Sequence, residues 1–309
     1  MTEARQGVWA ASITPFNADM SIDRGALCAH VDWLLENGCD GVALLGTTGE
    51  ANSLGVNERL SLIEEMEGRW PADRIMIGVG TTAIPDTVAL IHAAVDHEFP
   101  NVLMLPPFYY KGVADDGLYQ TVAEVMRRMG TSRPRIHLYD FPAMVGFPFS
   151  TGLIARLNDA FTHTVVGMKD SSGDFAKMKD VLTRVPGFAV YAGTEALLLD
   201  ILKEGGAGCI SATCNVTAPG AAAVWRAWRS GDLAAAEAAQ AKLTAQREAL
   251  QKWPMVPAVK AVLRRAFPDR VGRVIRPPLL SLSDLDRERL FQALDEIGFE
   301  IPGAAARTA

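Results

Sequence analysis

No two of the four cysteines in this chain, Cys28, Cys39, Cys209 and Cys214, are spaced C-x-x-C, and each sits inside an apolar segment. That argues against a disulfide framework or a zinc cluster and leaves the thiols as small core hydrophobes. Histidine is also scarce: of five, His92 and His97 do not share a helix face, and His30 and His163 stand alone, so no metal is expected. No apolar run approaches the ~20 residues of a membrane span, and the opening MTEARQGVWA lacks the charged and apolar regions of a signal peptide. Long like-charge blocks are missing as well. The net charge of −6 is spread along the chain, without the basic footprint that nucleic acid or an anionic membrane requires. These absences lead to an expected cytoplasmic protein with neither nucleic acid nor membrane as partner.

What the chain does have is alternation. Its 309 residues, 49% hydrophobic and 21% charged, suit a large soluble core. From about Val8 to Trp228, short β-prone runs alternate with longer amphipathic stretches, the mark of parallel βα units. The predicted strands are VWAASI from Val8, GVALL from Gly41, RIMIGV from Arg74, NVLML from Asn101, RIHLY from Arg135, VVGMK from Val165, AVYAG from Ala189 and GCISA from Gly208. Helical patterns lie between them. In RGALCAHVDWLLENG, Leu27, Val31 and Leu34 recur at helical spacing and Gly38 supplies the stop; in NERLSLIEEMEGRW the apolar set is Leu60, Ile63 and Met66. Eight such units in roughly 220 residues match an α/β TIM (β/α)8 barrel. A doubly wound sheet would call for a glycine-rich first turn, and TPFNADM has none. After Trp228 the pattern is helix only, so residues 1–228 are expected to form the barrel and 229–309 a C-terminal helical extension closing in a frayed GAAARTA tail.

Catalytic groups of such barrels sit where strands end. The second strand ends in Gly46-Thr47-Thr48-Gly49-Glu50, the fourth in Pro106-Pro107-Phe108-Tyr109-Tyr110 and the fifth in Tyr139-Asp140-Phe141-Pro142. The sixth ends in Lys169, the seventh in Gly193-Thr194-Glu195 and the eighth in Ile210-Ser211-Ala212-Thr213. A period of two puts Val165, Gly167 and Lys169 on one side, with Gly167 leaving room below the lysine. A lysine aimed into a barrel mouth is partly desolvated, which favours the neutral nucleophilic amine and hence Schiff-base chemistry. By the same parity Tyr139 reaches the mouth while His137 lies deeper, as an interior structural residue. In GTTGE, two hydroxyls between glycines offer a clasp for a carboxylate, though Thr-Thr-Gly also makes ordinary turns.

The combination GTTGE, LYDFP and GMKDSSGD, in that order and spacing, resembles the pyruvate-dependent class I aldolases that include dihydrodipicolinate synthase, N-acetylneuraminate lyase and 2-keto-3-deoxygluconate aldolase, over nearly the whole chain. The resemblance implies that Lys169 forms the imine with the 2-oxo carbon of a pyruvate-like substrate. It also implies that Tyr139 is the general acid and base, and that Thr47 links it to a tyrosine lent by a neighbouring subunit, for which Tyr109 matches better than Tyr110. A phenol titrates near ~10 in water, so such a relay is what the chemistry needs. Thr48 with the local backbone of Gly46 would hold the substrate carboxylate, and Gly193, Ile210, Ser171 and Glu195 would complete the binding set. No cofactor is implied, and a homotetramer is.

Where the synthases carry an arginine after the Tyr-x-x-Pro, this chain has Ala143-Met144-Val145-Gly146, and Met144 binds no anion. YDFPAMVG is more similar to the sugar-acid aldolases and sialic-acid lyases; in the latter a carboxylate at the position of Glu195 holds substrate hydroxyls, and Ser171 can meet another. The expected activity is therefore a lyase that splits or forms a 2-keto-3-deoxy sugar acid. Condensation of pyruvate with aspartate semialdehyde, or dehydration of a sugar acid, are the alternatives, and a non-catalytic 2-oxo acid sensor is the reading from another class.

Overall fold

Each of the eight segments read as strands is one. In the computed structural model, which describes residues 5–130, 133–268, 271–272 and 274–304, they are β1 (Gly7–Ala11), β2 (Gly41–Leu44), β3 (Ile75–Gly78), β4 (Asn101–Met104), β5 (Arg135–Asp140), β6 (Val165–Asp170), β7 (Ala189–Ala192) and β8 (Gly208–Ser211). All pair in parallel in the order β1 to β8, and β8 returns to β1, closing a barrel. Strands covered by helices outside and packed side chains inside read as nearly unbroken apolar runs, which is why the sequence shows them so clearly.

The helices are α1 (Arg24–Glu36), α2 (Val56–Glu65), α3 (Ile84–Asp96), α4 (Asp115–Met129), α5 (Pro142–Val145), α6 (Thr151–Ala160), α7 (Phe175–Arg184), α8 (Leu198–Lys203) and α9 (Cys214–Arg229), followed by α10 (Leu233–Gln251), α11 (Met255–Ala266) and α12 (Asp284–Glu296). Asp23 caps α1 by accepting from the Ala26 N–H at 2.9 Å, and the chain leaves that helix at Gly38, whose φ of 105° suits glycine. Its inward face is Leu27, Val31 and Leu34 as expected, with His30 and Trp33 added. The inward face of α2 differs from the predicted one. Leu60 is half-buried, while Arg59 is buried and donates to the carbonyls of Gly78 at 2.7 Å and Gly80 at 3.2 Å, capping the end of β3.

The lower barrel is filled by rings. Tyr191 packs edge-on to Trp9 at 6.4 Å and against His137 at 5.9 Å, and the Tyr191 hydroxyl and Trp9 indole both donate to the Arg5 carbonyl. The interior is thus a packed core, and chemistry is confined to the face where the strands end. Helix α10 runs along α9, α11 packs on both, and α12 packs on α10 and α11. Among the described residues no helix is long and apolar enough to cross a membrane. Residues 305–309 of the closing GAAARTA lie outside the described residues.

Candidate active site

The pairing of β5 with β6 contains an irregularity that simple alternation does not foresee. Ile136 is opposite Val165, but His137 is opposite Gly167, so Val166 is an extra residue in β6. Unshifted, the pairing would set Met168 against Tyr139; the bulge sets Lys169 there instead. Gly167 and Lys169 therefore share the inward face with His137 and Tyr139, whereas Val165 pairs with Ile136 on the other parity. The space left by Gly167 is also used differently from expectation. A Cβ there would come within 2.5 Å of the Ala189 carbonyl oxygen and 2.9 Å of both Ala189 Cβ and His137 Cδ2, so the glycine is required by the close approach of β7 and by the imidazole. Burial pulls the His137 imidazole down to about 4, keeping it neutral near pH 7.

Lys169 and Tyr139 are each 4% exposed, and Lys169 Nζ lies 4.4 Å from the centroid of the Tyr139 ring, whose other neighbour is Phe141. A lysine side chain and a phenol thus meet, buried, at the strand ends.

The GTTGE loop is held from several sides. Leu45 and Glu50, which bracket it, adopt left-handed φ values of 56° and 54°, uncommon for residues with a Cβ and sustained only by surrounding structure. For Glu50 that structure is a buried ion pair with Lys260 of α11, plus the backbone N–H of Arg276 at 3.0 Å. Thr14 donates to the Gly49 carbonyl at 2.7 Å. Thr48 is buried, Thr47 half-buried, and the space a Cβ would enter at Gly46 is open. Among the described residues no hydrogen bond joins Thr47 to Tyr139 or to Tyr109. Tyr109 and Tyr110 stand 75% and 76% exposed, ring to ring at 5.6 Å. Their loop is tied down by Lys111, which donates to the carbonyls of Phe108 at 2.6 Å and Val145 at 3.2 Å, next to the exposed Met144.

At the ends of the last three strands, the Gly193 N–H donates to the Asp170 carbonyl at 2.6 Å, and any side chain at 193 would run into Ser171. Ile210 is fully buried beside Trp9. Glu195, expected to meet substrate hydroxyls, is fully buried and turned toward the helices: its carboxylate accepts from Ser211, Thr213 and Thr217, with Arg247 of α10 at 3.7 Å. Arg247 also donates to Thr213 at 3.0 Å, and Gln240 of α10 to the Glu195 carbonyl at 3.0 Å. The physical reason lies in its neighbours: Ser211 follows the inward Ile210 and points outward, and its hydroxyl with those of Thr213 and Thr217 draws the Glu195 carboxylate to that side.

Several of these supporting residues gave no signal in the sequence. Glu50 stands within the GTTGE motif with nothing local to mark its role, and Lys260, 210 positions from Glu50, is beyond the reach of any local pattern.

Comparison with known proteins follows the same outline. The model of the dihydrodipicolinate synthetase family matches residues 4–297. The chain is 32% identical over 299 residues to an uncharacterised DapA-like lyase of Chloroflexus aurantiacus, covering 96% of this chain and 98% of that one. It is 30% identical to the 4-hydroxy-tetrahydrodipicolinate synthase of Bacillus subtilis, covering 94% and 98%. Among solved structures, YagE from E. coli K12, a prophage protein of the dihydrodipicolinic acid synthase family in complex with pyruvate, superposes with a TM-score of 0.87 at 26% identity, covering 95% of this chain and 99% of YagE.

Proposed function

This chain belongs to the dihydrodipicolinate synthetase family of class I lyases, and from that premise we propose that it makes and breaks the carbon–carbon bond of a 2-keto-3-deoxy sugar acid through an imine on Lys169. The observation that carries the reading is the buried pairing of Lys169 with Tyr139 at the strand ends. In the cleavage direction the Lys169 amine adds to the 2-oxo carbon and water leaves, giving a protonated imine. Tyr139 takes the proton from the C4 hydroxyl, the C3–C4 bond breaks, and its electron pair moves into the imine to give an enamine and a free aldehyde. Protonation at C3 and hydrolysis then release pyruvate and restore the amine. In this reading Thr47 passes the proton onward to Tyr109 of a second subunit in a homotetramer. Thr48 and the Gly46 backbone hold the carboxylate, and Gly193, Ser171 and Ile210 shape the floor. A pyruvate-bound relative supports a 2-oxo acid as substrate. The four unpaired thiols suit a reducing cytoplasm.

Met144, where an arginine would serve a second carboxylate, favours a hydroxylated aldehyde over aspartate semialdehyde. The synthase reading is the second choice because relatives at 30% identity carry that name, and dehydration of the same sugar acids shares the imine. The test is peptide mass spectrometry after borohydride reduction with pyruvate. The expected adduct is on Lys169 and absent from Lys169→Ala, which also loses aldehyde-dependent consumption of pyruvate. Full activity in Lys169→Ala ends the proposal. With the adduct in hand, polyhydroxylated aldehydes and aspartate semialdehyde compared as acceptors decide between aldolase and synthase.

A further inference from the structure

The motif GMKDSSGD continues past Lys169 for reasons the imine does not explain. Asp140 and Asp170 immediately follow Tyr139 and Lys169, and the two aspartates are themselves register partners on β5 and β6. Their parity turns them outward, away from the barrel interior, and both are fully buried. Two carboxylates side by side without water repel each other and would drive the strand ends apart. Between them comes Lys177, from the first turn of α7, its side chain 13% exposed: Nζ donates to Asp140 and lies 3.3 Å from Asp170 Oδ2. Outside this ion pair Asp170 Oδ2 has no hydrogen-bond donor among the described residues. The other oxygens are tied to backbone: Asp140 Oδ1 accepts from Phe149 N–H at 3.2 Å, and Asp170 Oδ1 accepts from the Ser172 N–H at 2.8 Å and its hydroxyl at 2.5 Å.

The intervening residues close the circuit. Asp174 N–H donates to the Ser172 hydroxyl at 3.1 Å, and the Asp174 carboxylate caps α7 by accepting from the Lys177 N–H at 3.0 Å. Lys169 to Lys177 is thus a ring of interactions that starts at the imine lysine and returns, through the Lys177 ammonium, to the residue beside it. Burial draws the Lys177 ammonium down to about 8 and the Asp170 carboxyl up, the latter against the hydrogen bonds from Ser172.

We propose that Lys177 is a positioning residue: by neutralising Asp140 and Asp170 together it clamps the ends of β5 and β6, and so holds Tyr139 and Lys169 at the separation at which the imine forms. The proposal rests on the reading of Lys169 and Tyr139 given above. Displacement of reacting groups by about 1 Å costs on the order of 100-fold in rate, and an unclamped pair of strand ends permits such a displacement.

The experiment compares native protein, Lys177→Met and Lys177→Arg by the rate of the borohydride-trapped pyruvate adduct at Lys169, per folded molecule and at saturating pyruvate. Thermal melting and the half-saturating pyruvate concentration are read in parallel. Lys177→Met is expected to trap about 10- to 100-fold more slowly, with half-saturation changed less than about twofold, since Lys177 touches no substrate. Lys177→Arg, which keeps the cation, restores most of the rate. A merely structural role would instead lower the melting temperature and leave the rate per folded molecule unchanged. Where Lys177→Met does not fold, Lys177→Gln is read in its place with the same outcomes. Native protein that forms no adduct at Lys169 overturns both the reading of the site and this inference. Native protein that traps normally, beside a folded Lys177→Met that traps equally fast, overturns the positioning role alone.

Discussion

Lys169 Nζ sits over the face of the Tyr139 ring, 4.4 Å from its centroid, so the same tyrosine offers Lys169 a packed surface and carries the hydroxyl to which the proposed function gives the proton transfer. The two contributions separate in Tyr139→Phe, which keeps the ring and removes the proton. That variant should still form the reducible pyruvate adduct on Lys169 while kcat falls by about 10²- to 10⁴-fold, the usual worth of a positioned acid and base. Borohydride trapping and steady-state turnover on one preparation make the check. Native turnover in Tyr139→Phe would move the proton-transfer role elsewhere.

The ion pair of Glu50 with Lys260 joins the GTTGE loop to α11, and both side chains are nearly dry, at 0% and 4% exposed. Burial lowers Lys260 and the Glu50 carboxylate raises it again. Lys260→Met leaves Glu50 buried and unpaired, which should cost about 3–5 kcal/mol, whereas Glu50→Gln combined with Lys260→Met should recover most of that loss. Because Glu50 closes the loop that carries Thr47 and Thr48, the single variant should also need more pyruvate for half-saturation. Urea midpoints at constant m-value measure the first effect and pyruvate titration the second. A single variant as stable as the native protein would mean that the loop holds its left-handed residues without the pair.

The contrast between these residues marks what the sequence makes legible. Strands buried on both faces write themselves as apolar runs, so the barrel and its strand ends could be read off, and with them the lysine and tyrosine. The bulge at Val166 could not be read, because an extra residue in a strand leaves no trace in composition; it is seen only against the pairing with β5. The substrate role of Glu195 is an expectation from the resemblance to the sialic-acid lyases, but which way a residue turns beyond a strand depends on its neighbours, here the hydroxyls of Ser211, Thr213 and Thr217. Arg59 carries no signal beside the apolar set Leu60, Ile63 and Met66, because its partners, the carbonyls of Gly78 and Gly80, lie on another element. Lys177 and Lys260 belong to the same class, cations drawn inside by carboxylates on distant elements.

The last prediction concerns acid. His30 and His137 are fully buried, and burial lowers each imidazole from 6.5 to about 4, although Asn215 lies 2.8 Å from His30 Nε2 and favours its charged form. Above pH 6.5 both rings are neutral whether the chain is folded or not, and their contribution to stability is fully present. As pH falls from 6.5 toward 4 the unfolded chain takes up protons that the folded one refuses, so stability drops, by about 2 kcal/mol per ring at pH 5. Asp40 and Asp170, whose carboxyls burial raises, act in the opposite sense as they protonate in the fold. A paired comparison removes their effect: His137→Leu deletes one titrating ring, and its urea-derived stability should fall between pH 7.5 and 5 by about 2 kcal/mol less than that of the native protein. Parallel losses in the two proteins would mean that His137 accepts its proton in the folded barrel, and that the ring at the base of the site is not the neutral packing group its burial requires.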